Sequence, residues 1–191
     1  MSRLDLVVGP NGAGKSTFVR LVLSPAAPMS EVVNADDISQ QRWPEDAEAH
    51  SYDAAKIAAA TRERLIDLRQ PFIAETVYSH PSKLELIHRA QAAGYFVALH
   101  VLLVPVELAV ARVAARVVAG GHSVPIDKVR ARYRRLWPHV ATAIQRADTA
   151  TVWDNSGFAG ARQVALFSRG AIIGSATWTN WTPPDLTANW T

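Results

Sequence analysis

Cysteine is absent from all 191 residues. Its absence excludes disulfides and thiolate metal sites, and it suits a reducing cytoplasm, which is the expected location. No stretch is long and uncharged enough to cross a bilayer, and the first apolar run, Leu4 to Val8, is too short for a secretory leader. The Asn-Trp-Thr sequons at Asn180 and Asn189 therefore have no expected route to glycosylation. No internal repeat is visible. With 49% hydrophobic residues, the chain suits one globular domain with a core of useful size and is cramped for two.

Net charge is only +3, yet it is unevenly spread. Glu31 to Glu75 holds ten acidic against five basic residues, whereas Arg112 to Arg146 holds eight basic against one acidic. A cationic segment of that kind meets nucleic acid or closes over a polyphosphate.

The polyphosphate has an obvious seat. Gly9-Pro10-Asn11-Gly12-Ala13-Gly14-Lys15-Ser16-Thr17 satisfies G-x-x-x-x-G-K-[ST], with an apolar run before it and another after it. This predicts a strand, a phosphate loop and a helix. The glycines let backbone N–H groups turn towards phosphate oxygens, Lys15 supplies a mobile cation, and the Ser16 hydroxyl suits Mg²⁺. The helix starting near Lys15 adds its positive dipole end. A bound nucleoside triphosphate is the expectation, ATP with Mg²⁺ foremost.

Beyond the loop, Glu31 to Asn34 reads as a second strand leading into Asp36 and Asp37, and Glu45 to Leu68 as a long Ala-rich helix. Pro71 to Thr76 is a third strand ending at Glu75. A capping box at Ser82 and Glu85 opens a helix to Ala93. Tyr95 to Val104 is the best central strand. Pro105 begins a helix to Ala119, Gly120-Gly121-His122 with Pro125 looks like a hinge, and a basic helix runs from about Asp127 to Ala147. Thr149 to Trp153 is a fifth strand, followed by Asp154-Asn155-Ser156-Gly157 and a β-hairpin over Arg162–Phe167 and Ala171–Ile173. The Trp-rich tail reads equally as a docked extension or a loose end.

Alternating strands and helices imply an α/β fold of the P-loop NTPase type. The expected sheet is mostly parallel and five-stranded, flanked by helices, with the hairpin at its C-terminal end. Ligands of such sheets gather at the carboxyl ends of strands, which collects the loop, Asp36, Glu75 and Asp154 on one rim. Asp36 is the best candidate for a general base; capping of the next helix is the alternative role for it and for Asp37. Glu75 suits orientation of an acceptor hydroxyl or a Mg²⁺-bound water. Arg112 and Arg116 lie one helical turn apart and face the same way, as transition-state clamps would. Of Arg130, Arg132, Arg134 and Arg135, which go round too much of a helix to form one surface, one or two are expected to reach the site.

The ordered set from the phosphate loop through Val33-Asn34-Ala35-Asp36, Glu75-Thr76, Gly120-Gly121-His122-Ser123-Val124-Pro125, Arg132-Tyr133 and Asp154-Asn155-Ser156-Gly157 resembles the zeta-toxin family of P-loop kinases. The likeness is to its small bacterial branch labelled predicted ABC-type ATPase, and covers about Leu4 to Ile173. It implies a kinase that uses ATP and Mg²⁺ to phosphorylate a hydroxyl of a small metabolite, UDP-N-acetylglucosamine for the best-known members, and an antitoxin partner. By position, Asp36 would be the base, Lys15 and Ser16 the phosphate and metal groups, and Arg112 or Arg116 the lid arginines. Glu75, Thr76, His122 and Arg132 would contact substrate. A kinase domain over residues 1–176, its lid at about 112–135, would precede a tail over 177–191.

Three rivals share the loop. An ABC or repair ATPase would need a motif resembling L-S-G-G-Q and a strand ending Asp-Glu, and the chain has neither. A GTPase switch finds a D-x-x-G match in Asp154 to Gly157 but no N-K-x-D. A nucleic-acid kinase would explain the basic helices, but no aromatic residues interleave with those arginines, so a nucleic-acid partner is not expected.

Overall fold

The computed structural model of the chain describes residues 2–80, 82–118 and 125–190. A seven-stranded sheet runs through them in the order β2-β3-β1-β4-β5-β6-β7. Its strands are β1 (Arg3–Val8), β2 (Glu31–Val33), β3 (Phe72–Thr76), β4 (Phe96–Leu103), β5 (Thr149–Asp154), β6 (Arg162–Ser168) and β7 (Ala171–Ile172). The first five are parallel, as expected. The hairpin β6–β7 is antiparallel and joins the same sheet through β5, so the expected five strands become seven.

Burial explains why β1 and β4 lie in the middle. Along β1, Leu4, Leu6 and Val8 point into the larger core cluster, while Val7 enters a smaller one on the other face. In β4, Val97, Leu99, Val101 and Leu103 go one way and Leu102 the other, and seven of its eight residues are buried. A strand covered on both faces must read as a continuous apolar run, which is how this one reads. Asp5 and His100 are the exceptions: both are buried, with Asp5 Oδ1 and His100 Nε2 2.9 Å apart and the Arg3 guanidinium clamping the same carboxylate.

The helices differ from expectation in three places. The helix after the phosphate loop starts as α1 (Lys15–Phe18), passes through a π-helical turn at Val19–Leu23 and ends as α2 (Ser24–Ala26). A separate helix, α3 (Ala35–Arg42), follows β2 directly, so Asp36 and Asp37 sit in its first turn rather than at a strand end. Its cap is Asn34, whose side chain accepts a hydrogen bond from the Asp36 N–H at 2.9 Å. The Ala-rich helix, α4 (Ser51–Asp67), begins six residues later than its apolar spacing suggested, because residues 44–50 form turns over which Trp43 and His50 stack.

The remaining helices are α5 (Ser82–Ala92), α6 (Val106–Val118), α7 (Ile126–Arg146) and the short α8 (Pro184–Thr187). The Ser82 side chain of the expected capping box, and the hinge Gly120-Gly121-His122, lie outside the described residues or side chains. In α7 the buried set Val129, Tyr133, Leu136, Trp137, Val140 and Ile144 recurs at three- and four-residue spacing, leaving most of its arginines on the outer side. The tail is docked. Leu186 is fully buried, Trp190 packs edge-on to Phe167, and the Trp190 Nε1–H donates to the Gly170 carbonyl at 2.8 Å. Among the described residues no helix is long and apolar enough to cross a membrane.

Candidate active site

The chain leaves β1 into the phosphate loop beside both β3 and β4, where successive strands switch from one side of β1 to the other. At such a switch point the loops diverge and open a crevice. The crevice here has a volume of about 830 Å³. Asn11, Gly12, Gly14, Lys15, Ser16 and Thr17 line one side of it; Gly9, Pro10 and Ala13 are buried beneath as the loop's floor.

Two glycines are required by geometry. Gly14 has φ +84°, and a side chain there would stand 2.6 Å from Asn155 Nδ2; Gly12 has φ +77°, and a Cβ would meet the Ala109 carbonyl at 2.5 Å. The loop is thus pressed between α6 and the end of β5. Its turn is closed by the Pro10 carbonyl, which accepts from the Ala13 N–H and from Lys15 Nζ, each at 3.1 Å.

Lys15 is only 8% exposed. Burial lowers its pKa, and the negative charges of Glu75 and Asp36 work against that loss while Arg116 adds to it. The ammonium's hydrogen bond goes to a carbonyl, and phosphate oxygens would suit it as further partners.

Beside the lysine, a chain of hydrogen bonds joins three elements. Ser16 Oγ donates to Glu75 Oε1 at 3.0 Å, Asn34 Nδ2 donates to Glu75 Oε2 at 3.0 Å, and Asn34 Oδ1 accepts the Asp36 N–H. Glu75 at the end of β3 therefore ties the loop serine to the helix turn that carries Asp36. Burial pushes the Glu75 carboxyl upward; Lys15 and the Ser16 hydroxyl pull it back.

Most of the expected residues converge. Asp36, Glu75, Thr76, Arg112, Arg116 and Arg132 all line the crevice; Asp37 does not, and neither does Asp154, whose carboxylate is taken up by Ser156 and Arg162. His122 lies outside the described residues. Of the basic residues on α7, Arg132 and Lys128 face the crevice, while Arg130 pairs with Glu107 through two 2.6 Å bonds. Sequence reasoning did not single out Lys83, Tyr52 and Ser51, which also line it. No motif marks them, because α4 and α5 bring them there only through packing. Asn34 was quoted within a motif without a role; the N-cap spacing before Asp36 could have assigned one.

A parallel sheet with a glycine-rich loop wrapped on a buried lysine, and carboxylates beside it, defines a P-loop kinase fold. The family model for Zeta toxin matches residues 3–159, and the chain belongs to that family. An uncharacterized protein of Haemophilus influenzae (strain ATCC 51907 / DSM 11121 / KW20 / Rd) is 32% identical over 126 residues, which is 65% of this chain and 88% of that protein.

Solved structures share the fold at low identity. The AvrRxo1-ORF1:AvrRxo1-ORF2 complex matches with TM-scores of 0.73 with sulphate ions and 0.71 with ATP, at 14% identity, covering 91% of this chain. The present chain spans 60% of the length of that one. A structure from the PezAT chromosomal toxin-antitoxin system of Streptococcus pneumoniae matches with a TM-score of 0.62 and 14% identity over 80% of this chain and 69% of the other.

Proposed function

We propose that the protein is an ATP-dependent phosphotransferase that moves the γ-phosphoryl group to a hydroxyl of a small metabolite, with nucleotide sugars such as UDP-N-acetyl sugars the first acceptors to test. The observation that carries this reading is the buried Lys15 in one crevice with Asp36 and Glu75. A cation for the phosphates and a carboxylate for the acceptor are the two things such a transfer needs side by side.

In this reading the acceptor oxygen attacks the γ-phosphorus, the bond to the β–γ bridging oxygen breaks, and ADP leaves. Asp36 takes the hydroxyl proton. Lys15 neutralises phosphate charge, and Arg112 and Arg116 meet the charge that develops on the transferring group. Arg112 and Arg116 from α6 and Arg132 from α7 together supply the cationic side of the crevice.

Mg²⁺ brought in with ATP would offset the negative charge of the phosphates. Ser16 Oγ, with Glu75 Oε1 beside it, fits that ion: both are hard oxygen donors. Among the described residues no group of three or more His, Asp or Glu forms a metal site, and a nucleotide-borne Mg²⁺ needs only one or two protein oxygens. A protein partner of antitoxin type belongs to the same reading, supported by family membership and by the likeness to the PezAT system.

The deciding experiment adds the protein and ATP to a cell extract and searches by mass spectrometry for metabolites that gain a phosphoryl group, with Lys15→Ala as the control. New phosphorylated species with the wild type alone are expected. ATP hydrolysed with no phosphorylated acceptor in any extract would overturn the transferase reading in favour of an ATPase.

A further inference from the structure

The geometry points to Asn155 as a positioning residue of the phosphoryl-transfer site, one that locks the peptide between Ala13 and Gly14 and seats Arg112. The assignment rests on the phosphotransferase reading above. It concerns a residue that touches no phosphate itself.

Asn155 is rigid before its side chain is considered. Its N–H donates to the Leu103 carbonyl at 2.9 Å, carrying the β4–β5 ladder one residue past the Leu103–Asp154 pair. The next turn is closed by Asp154 Oδ1, which accepts from the Ser156 N–H at 2.9 Å and the Ser156 hydroxyl at 2.6 Å. With the backbone held on both sides, the carboxamide has a fixed origin.

From there Nδ2 reaches across to the phosphate loop and donates to the Ala13 carbonyl at 2.7 Å. The partners are separated by 142 residues in sequence, so the contact is purely tertiary. A trans peptide keeps its C=O and N–H on opposite sides. Holding the Ala13 oxygen on Asn155 therefore turns the Gly14 N–H away from Asn155. Gly14 lines the crevice and Asn155 does not, so that N–H is presented to the side where phosphate would sit.

The latch answers a weakness that the glycine creates. Gly14 must be glycine, since a Cβ would collide with Asn155 Nδ2, and its φ of +84° is unfavourable for other residues. Glycine, however, accepts both orientations of the preceding peptide at similar cost. Without a partner for the Ala13 oxygen, the peptide is free to turn its carbonyl into the crevice, replacing a donor with a repulsive acceptor. Asn155 removes that alternative.

The same residue's own carbonyl accepts from Arg112 Nη1 at 3.0 Å. One backbone position thus sets both a backbone donor of the loop and a guanidinium of α6. Two groups meant for the same polyphosphate share one support.

The test uses the whole protein as Asn155→Ala and Asn155→Asp, with ATP and Mg²⁺ as the probe. Titration calorimetry gives affinity, basal ATP consumption gives turnover, and the Gly14 amide resonance in ¹⁵N-glycine-labelled protein reports the peptide. Both variants are expected to lose about ten- to a hundred-fold in kcat/KM for ATP, and the Gly14 amide to lose its ATP-induced shift. Asp has nearly the shape of Asn but aims a carboxylate oxygen at the Ala13 carbonyl, so a packing role would leave Asn155→Asp close to wild type. Asn155→Ala removes the donor without adding charge. If Asn155→Ala does not fold, Asn155→Asp with its Gly14 resonance decides the matter. Wild-type kcat/KM and an unchanged Gly14 response in the folded variants would overturn the role of Asn155 alone. A wild-type protein that does not bind ATP would overturn the phosphotransferase reading, and this assignment with it.

Discussion

Ser16 Oγ donates to Glu75 Oε1 at 3.0 Å, and this single contact joins the phosphate loop to the end of β3, 59 residues further along the chain. The other Glu75 oxygen holds Asn34, which caps the helix that starts with Asp36. Glu75 is therefore the hinge-pin between the nucleotide side and the acceptor side of the crevice. Its charge and its position serve the two sides together.

Replacing Glu75 by Gln keeps size and one accepting oxygen but removes the charge, and an amide N–H₂ then faces one of its two donors. Turnover is expected to fall about ten- to a hundred-fold while ATP affinity changes by no more than a few-fold, because the loop backbone and Lys15 still hold the phosphates. Steady-state kinetics beside titration calorimetry checks the split. Equal losses in both would mean that Glu75 only shapes the loop.

Asp36→Asn is expected to lower turnover on the order of 10² to 10⁴, the usual contribution of a general base, with little effect on ATP binding. Asp37→Asn should be far milder, since Asp36 lines the crevice and Asp37 does not. Near-normal turnover of Asp36→Asn would move the base assignment to Glu75.

Arg112→Ala and Arg116→Ala should reduce kcat much more than they weaken ATP binding, since their guanidinium groups act on charge that builds during transfer. Hydrogen exchange of α6 is expected to slow when a non-hydrolysable ATP analogue is added with Mg²⁺. Wild-type kcat in both variants would show that the arginines serve only as surface residues.

A pH effect on stability comes from the buried Asp5. Burial alone would raise its pKa, but hydrogen bonds from His100 and the Arg3 guanidinium outweigh burial and hold the carboxyl below the ordinary carboxylate range. A folded-state pKa below the unfolded one means stabilisation that is complete above about pH 4 to 5 and lost as pH falls through the folded value. Denaturant midpoints measured from pH 6 to pH 3 should drop steeply for the wild type and less steeply for Asp5→Asn, which starts from a lower stability. Parallel curves would remove Asp5 as the source.

The resemblance to the Zeta toxin family was legible in the sequence because its signals are local. A phosphate loop is a run of nine residues whose glycines and lysine carry their own chemistry, and the apolar runs on both sides announce a strand and a helix. β4 was legible for a similar reason: a strand buried on both faces has no freedom to carry polar residues, apart from the His100 that pairs with Asp5. The rule that ligands sit at the carboxyl ends of parallel strands then brought Asp36 and Glu75 near the loop without coordinates.

What the sequence could not express was which side chains meet. Short α3 was missed because it buries little apolar surface, only Ser39 being buried within it, so it has no periodic stripe to read. Likewise the start of α4 was decided by turns that stack Trp43 on His50, a contact between residues with no common pattern. The hairpin joined the sheet because β5 would otherwise have left an open edge, and the tail docked because Phe167 offered Trp190 an apolar face. Asn155 on the Ala13 carbonyl and Glu75 between Ser16 and Asn34 are hydrogen bonds between distant segments. Such bonds depend on distances of a few ångström and on direction, and those quantities exist only once the sheet has brought its strand ends together.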